Sequence, residues 1–135
     1  MKIVIDTNVI VSGIFFNGKP RELLRECFNG KYEIICTKEI FLEYVETIEK
    51  LSKRYKQRVR EEIIPILLDN VTIIENVDDG KYSRDPDDDK FINCAKSSGA
   101  KYIITGDNDL LVLEKIGDIR LLTVADFLKE KEDKS

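Results

Sequence analysis

The residues able to do chemistry in this chain are carboxylates, and they stand where strands are expected to end. Asp6 follows the apolar run Met1–Ile5, and Asp107 and Asp109 follow Lys101–Thr105 after a turn at Gly106. Asp85, Asp87, Asp88 and Asp89 crowd around Pro86. Singly, each is an ordinary turn or helix-capping residue. Together they are harder to explain, because capping needs one or two acids and the rest repel one another. Helical spacing sorts them. Asp88 precedes Phe91, Ile92 and Ala95 by three, four and seven residues, so it shares their inward face. Asp89 lies below Asn93 and Lys96 and is expected to face water, while Asp85 is expected to cap a helix with Pro86 at its first position. Acids gathered in one place raise each other's pKa or recruit a cation. A further carboxylate is available from the helix expected over residues 37–50, where Glu43 borders the apolar stripe Phe41, Tyr44, Val45 and Ile48 and Glu39, Glu46 and Glu49 are the alternatives.

Composition narrows the chemistry. The 135 residues contain no His, which excludes Ser-His-Asp and Cys-His catalysis and histidine-ligated zinc. The three Cys, at 27, 36 and 94, have no C-x-x-C spacing and sit beside apolar residues, so they read as core fillers. Hydrolysis would have to rest on Lys or on carboxylates holding a hard cation, and oxygen-only ligands suit Mg²⁺ or Mn²⁺. With 22 Lys+Arg against 26 Asp+Glu the net charge is −4, and 42% of residues are hydrophobic. That is a soluble globular composition. No apolar run approaches the roughly 20 residues that cross a bilayer, and Asp6 and Asn8 interrupt any signal-peptide pattern, so a cytoplasmic protein is expected.

The elements that must position these acids alternate. Short strands are expected at 1–5, 33–36, 71–74, 101–105 and 119–122. Helices are expected from Pro20 to about Phe28, from a cap at Thr37 to about residue 50, on to about Asp69 with a break or kink at Pro65, from Pro86 to near Gly99, briefly after Gly106, and from a cap at Thr123. Residues 9–16 are again apolar, and Asn17-Gly18-Lys19-Pro20 marks a turn. This alternation predicts one α/β domain over 1–129 around a parallel sheet, with 130–135 frayed. Ligands of such sheets bind outside the carboxyl ends of the strands, where the strand order reverses.

Asp6-Thr7-Asn8, Glu43, Asp85-Pro86-Asp87-Asp88 with Ala95 beyond, and Thr105-Gly106-Asp107-Asn108-Asp109-Leu110 together resemble a PIN domain. The likeness covers nearly the whole chain and is nearest to the small prokaryotic toxins of toxin–antitoxin pairs, akin to VapC. It implies a three-layer α/β/α sandwich with a five-stranded parallel sheet ordered 3-2-1-4-5, and a metal-dependent ribonuclease acting on single-stranded RNA. It assigns Asp6, Glu43, Asp88 and Asp107 to an acidic quartet holding one or two Mg²⁺ or Mn²⁺ ions, with Asp109 as a fifth carboxylate and Asn8 and Thr105 as residues that orient the acids. Which of Asp85, Asp87 and Asp88 binds metal stays open at this level: register to Ala95 favours Asp88, and Asp85 favours capping. An antitoxin partner and homodimerisation are implied by the resemblance alone.

Two basic segments, Lys19/Arg21/Arg25 and Lys50/Lys53/Arg54/Lys56/Arg58/Arg60 with Tyr55, could be solvated helix faces. Alternatively, Lys53, Arg54 and Arg58 could track single-stranded phosphates while Tyr55 stacks a base. Rival readings are a PIN-fold RNA- or protein-binding module without turnover, and a metal-dependent phosphatase. The dehalogenase type of phosphatase wants an acid two positions after Asp6, where Asn8 stands. A receiver domain wants an acidic pair and a late Lys that this chain does not supply.

Overall fold

A computed structural model describes residues 1–55, 59–76 and 78–133. The elements in chain order are β1 (Lys2–Ile5), α1 (Thr7–Phe15), α2 (Lys19–Phe28), β2 (Glu33–Thr37), α3 (Lys38–Tyr55), α4 (Val59–Asp69) and β3 (Val71–Ile74). A 3₁₀ turn at Pro86–Asp88 then leads into α5 (Asp89–Ser98), β4 (Tyr102–Ile104), α6 (Asn108–Leu111), β5 (Lys115–Ile116), β6 (Ile119–Leu122) and α7 (Val124–Asp133). The sheet is ordered β3-β2-β1-β4-β6-β5, parallel throughout except for β5. The expected 3-2-1-4-5 order is therefore present, with one strand more than expected. The extra strand is a two-residue hairpin partner of β6, closed through Gly117 at φ +57°.

Strands β1 and β4 form the centre and are buried on both faces, so they read as unbroken apolar runs rather than alternating ones. The crossovers from β1 to β2 and from β2 to β3 run one way along the sheet, and the crossover from β3 to β4 runs back past β1. This reversal puts α5, which packs on β1 and β2, on the face opposite α1–α4. The reversal falls between β1 and β4, whose register pairs Ile5 with Ile104. The residues that follow these two strands, Asp6 and Thr105, are thereby brought together.

Helix α1 is buried nearly all round, which is why residues 9–16 show no helical period. It lies close on α2 at Gly13, where a Cβ would stand 2.6 Å from Leu24 Cδ1 and 2.8 Å from the Pro20 carbonyl oxygen. Arg21 ties the same turn by donating to the Gly13 and Ile14 carbonyls at 3.1 and 2.8 Å. Gly13→Ala should therefore lower stability by about 1–3 kcal/mol despite the better helix propensity of alanine. The corresponding fall in Tm is roughly 3–10 °C in thermal unfolding, and an unchanged or raised Tm would contradict the close packing.

Three sequence expectations change. Helix α4 passes through Pro65 without ending, because Pro65 faces outward and the carbonyl it leaves unpaired can be hydrated. Helix α3 runs to Tyr55 rather than about residue 50. Helix α7 continues past 129 to Asp133 because it is tied down: Phe127 lies edge-on between Tyr32 and Tyr102, with ring centroids at 5.0 and 5.1 Å. Lys131 donates to the Tyr102 hydroxyl at 2.9 Å, and Arg120 pairs with Glu130. Cys27, Cys36 and Cys94 are free and buried, and burial pushes all three thiols up to about 12, so they act as core residues. No helix among the described residues is long and apolar enough to cross a membrane.

Candidate functional site

Asp6 caps the step from β1 into α1, with its own N–H donated to the Ile104 carbonyl at 2.9 Å. The last carbonyl of β1, on Ile5, accepts from the fully buried Tyr44 hydroxyl at 2.5 Å, which fixes the strand end from the α3 side. The Asp6 carboxylate accepts from the buried Thr105 hydroxyl at 2.6 Å. That hydroxyl oxygen in turn accepts from the Asp107 N–H at 2.9 Å. One threonine thus links the carboxylate that follows β1 to the backbone of the acid that follows β4. Asp107 turns its own Oδ1 onto the Asp109 N–H at 2.8 Å, capping α6 and fixing the next acid.

The third contribution comes from the start of α5. Asp85 caps the 3₁₀ turn by accepting from the Asp87 N–H at 3.1 Å, as expected, and Asp87 itself is exposed. Asp88 points inward and is 8% exposed. Carboxylate oxygens of Asp85, Asp88 and Asp109 all lie within 4.8 Å of one another. Asp88 Oδ2 is buried with no hydrogen-bond partner among the described residues. Asp85 therefore both caps and converges with its neighbours, and the closest acidic group is Asp85–Asp88–Asp109 rather than the quartet of Asp6, Glu43, Asp88 and Asp107.

Electrostatics join the two sets. Burial raises the Asp6 pKa; the Thr105 bond offsets part of this, and the charges of Asp107 and Glu43 add to the rise. Asp88 is pushed up to about 7, first by burial, then by sharing a hydrogen bond with Asp107, then by the charges of Asp107, Asp85 and Asp6. These acids feel one another across three segments of chain. Such an arrangement favours either a shared proton or a cation.

Glu43 is placed differently. Its two oxygens are taken by protein donors: the Thr7 hydroxyl on one, and Lys90 Nζ at 2.7 Å on the other. Burial lowers the Lys90 pKa, but the bond to Glu43 and that residue's charge outweigh it, so the net shift is upward. Asn8 is exposed on the first turn of α1, and it is the adjacent Thr7 that orients Glu43.

Asp89 overturns the expectation that it faces water: it is 8% exposed and accepts from the Tyr82 and Ser83 N–H groups at 2.9 and 2.8 Å. Asn93, one turn on, both accepts from and donates to Gly80, at 2.9 and 3.0 Å. Ser97 pairs with Asp78, and Lys96 donates to the Tyr82 hydroxyl at 2.7 Å. One face of α5 thus latches the segment 78–83 that delivers Arg84 and Asp85 to the acids. Arg84 then pairs with Asp109.

Sequence reasoning missed Thr7, Arg84 and Lys90 as partners of the acids. The available signal was the bracketing of the acidic run 85–89 by Arg84 and Lys90. Lys53 and Arg54 are exposed at the far end of α3, ten residues and about 15 Å of helix rise beyond Glu43. The structure does not bring them to the acids, and Arg58 lies outside the described residues.

A doubly wound sheet with buried acids converging at its switch point defines an α/β protein built around an electronegative, oxygen-lined centre. The model of the PIN domain matches residues 2–109, and the chain belongs to that family. It is also 36% identical to an uncharacterized protein of Methanocaldococcus jannaschii over 146 aligned positions, covering 98% of this chain and 92% of that one. No solved structure matches it. PIN domains are generally nucleases and typically bind divalent metals.

Proposed function

We propose that this protein is a Mg²⁺- or Mn²⁺-dependent endoribonuclease acting on single-stranded RNA in the cytoplasm, and that it is the toxin of a toxin–antitoxin pair. The observation that carries the enzymatic reading is the Asp88 carboxyl: buried, with one oxygen lacking any donor, and turned toward Asp85, Asp107 and Asp109. An ionised acid in that position is satisfied by a cation and by little else. The toxin role rests on the resemblance of the motifs.

The donor set fits a hard divalent ion, since it consists of carboxylate oxygens with no sulfur or imidazole. Asp85, Asp88 and Asp109 are the first candidates to hold it, with Asp6 and Asp107 beside them. When bound, such an ion supplies an acidified water and stabilises charge on a phosphodiester. The remaining work falls to the chain. Thr105 fixes Asp6 and the backbone of Asp107 in one geometry. Thr7 and Lys90 hold Glu43 at the edge of the cluster. Asp88 is held up to about 7 by burial and by its contact with Asp107, so it is the acid of the cluster whose charge a cation would stabilise most.

The test is cleavage of a labelled single-stranded RNA by the wild-type protein in Mn²⁺ or Mg²⁺. Cleavage should stop on adding EDTA in excess and return when the ion is restored. RNA left intact in both ions, or cut equally in EDTA, would overturn the reading.

A further inference from the structure

We infer that Arg84 and Lys90 are the phosphate-binding residues of this site: held at its rim by Asp109 and Glu43, they grip the backbone of a single-stranded nucleic acid as it crosses the acids. The inference takes its substrate class from the nuclease reading but rests on residues outside the acidic cluster.

A gathering of carboxylates repels a polyanion, so positive charge must be fixed beside it. The basic stretch on α3 cannot supply this at the reacting phosphate, because Lys53 and Arg54 sit at the opposite end of that helix. Among the described residues, the ion pairs that touch acids of the cluster are Arg84–Asp109 and Lys90–Glu43.

The two cations are built for different depths. The backbone before Arg84 is latched through Tyr82 and Ser83 to Asp89, and the backbone after it is held by the Asp85 cap, yet the Arg84 side chain is 63% exposed. This is a fixed base with a free head, and a guanidinium fork matches a phosphate as well as a carboxylate. Lys90 is 14% exposed and lies over the Phe91 ring at 5.4 Å. It borders a cleft of about 520 Å³ in which Lys81, Ser83 and Asn93 stand beside five carboxylates, Glu39 and Asp78 among them, so that Lys90 and Lys81 are the groups in it able to meet a phosphate. Pockets of that size take a small ligand, so a nucleotide unit next to Lys90 has room. The Arg84–Asp109 pair is of the exposed kind that contributes little to stability, so exchanging its carboxylate partner for a phosphate costs little, whereas the more enclosed Lys90 meets a phosphate while keeping Glu43.

The test is binding of a labelled single-stranded RNA of ~12 nucleotides in Ca²⁺, with its integrity checked on a gel, over about 50–300 mM salt. Arg84→Gln and Lys90→Gln should each weaken binding about 3–10-fold and reduce the slope of log K against log[salt] by about 0.7. Arg84→Lys and Lys90→Arg keep the charge and should keep the slope. Glutamine variants with the wild-type slope would overturn the inference, as would loss of slope only when Lys53 and Arg54 are neutralised. Cleavage in Mn²⁺ is scored separately. Binding that depends on Arg84 and Lys90 without cleavage sinks the nuclease reading and leaves this inference standing; cleavage with unaltered slopes sinks the inference alone.

Discussion

Asp88→Asn should abolish metal-dependent cleavage and, in the same protein, raise the thermal stability of the metal-free state at pH 8. The loss of activity follows from the donor set: an amide removes a charge from the group of oxygens that converge with Asp85 and Asp109. A fall of about 10³-fold or more, roughly 4 kcal/mol of transition-state stabilisation, is expected. The gain in stability follows from the energetics of the empty centre. Asp88 is raised from 3.8 to about 7 because burial and the neighbouring acids disfavour its ionised form. At pH 8 the folded metal-free protein must ionise it nonetheless, at a cost of about 4 kcal/mol, taking about 1.4 kcal/mol per pKa unit. Asparagine has the same shape, carries no charge and can donate its amide to Asp107. A rise in Tm of about 10–18 °C at pH 8 in EDTA is expected, shrinking to less than half of that at pH 5 and disappearing only below about pH 4, where the acid is protonated in the folded and the unfolded chain alike. A Tm that falls or stays level at pH 8 would show that Asp88 is not strained by charge and needs no cation to satisfy it.

Why some of this was legible in the sequence and some was not has a physical basis. Asp6 and Asp107 could be read because strand ends in a parallel sheet are set by local pattern, and their meeting follows from strand order. Asp88 could be read because three, four and seven residues of helical spacing fix a direction. Asp89 defeated the same arithmetic. Its outward face is covered by the segment 78–83, which has no period and owes its course to bonds with Asp89, Asn93 and Ser97 themselves. The partners of Glu43 were hidden for a related reason: Thr7 is 36 positions away in sequence, and Lys90 stands on α5, at the far side of the sheet reversal. Contacts of that kind appear only once the topology is known. Helix α1 was unreadable because a helix buried on all sides has no polar face to mark its period.

Wild-type stability in EDTA should fall as pH rises from 5 to 8, and Mn²⁺ should reverse that trend. The sign follows from linkage. A carboxylic acid whose folded pKa lies above its unfolded value binds more protons in the native state between those two values, so the slope of unfolding free energy on pH is negative there. For Asp88 the window opens above 3.8 and closes above about 7, and the upward shift of Asp6 acts in the same direction. Asp88→Asn is the reference: the wild-type curve minus the variant curve should decline through this window and level off above it, which separates these acids from the rest of the protein. A cation reads the same equilibrium from the other side, since it binds the deprotonated centre. At about 100 times its dissociation constant, Mn²⁺ adds about 2.7 kcal/mol, or roughly 7–12 °C in Tm, at pH 8. At pH 5 the proton on Asp88 competes, and the gain should be small. Calorimetry near pH 6 in buffers of different ionisation enthalpy should register close to one proton released per binding event. A difference curve that rises with pH, or Mn²⁺ binding without proton release, would mean that the Asp88 proton and the cation occupy different places, and the acids at the switch point would then need another explanation.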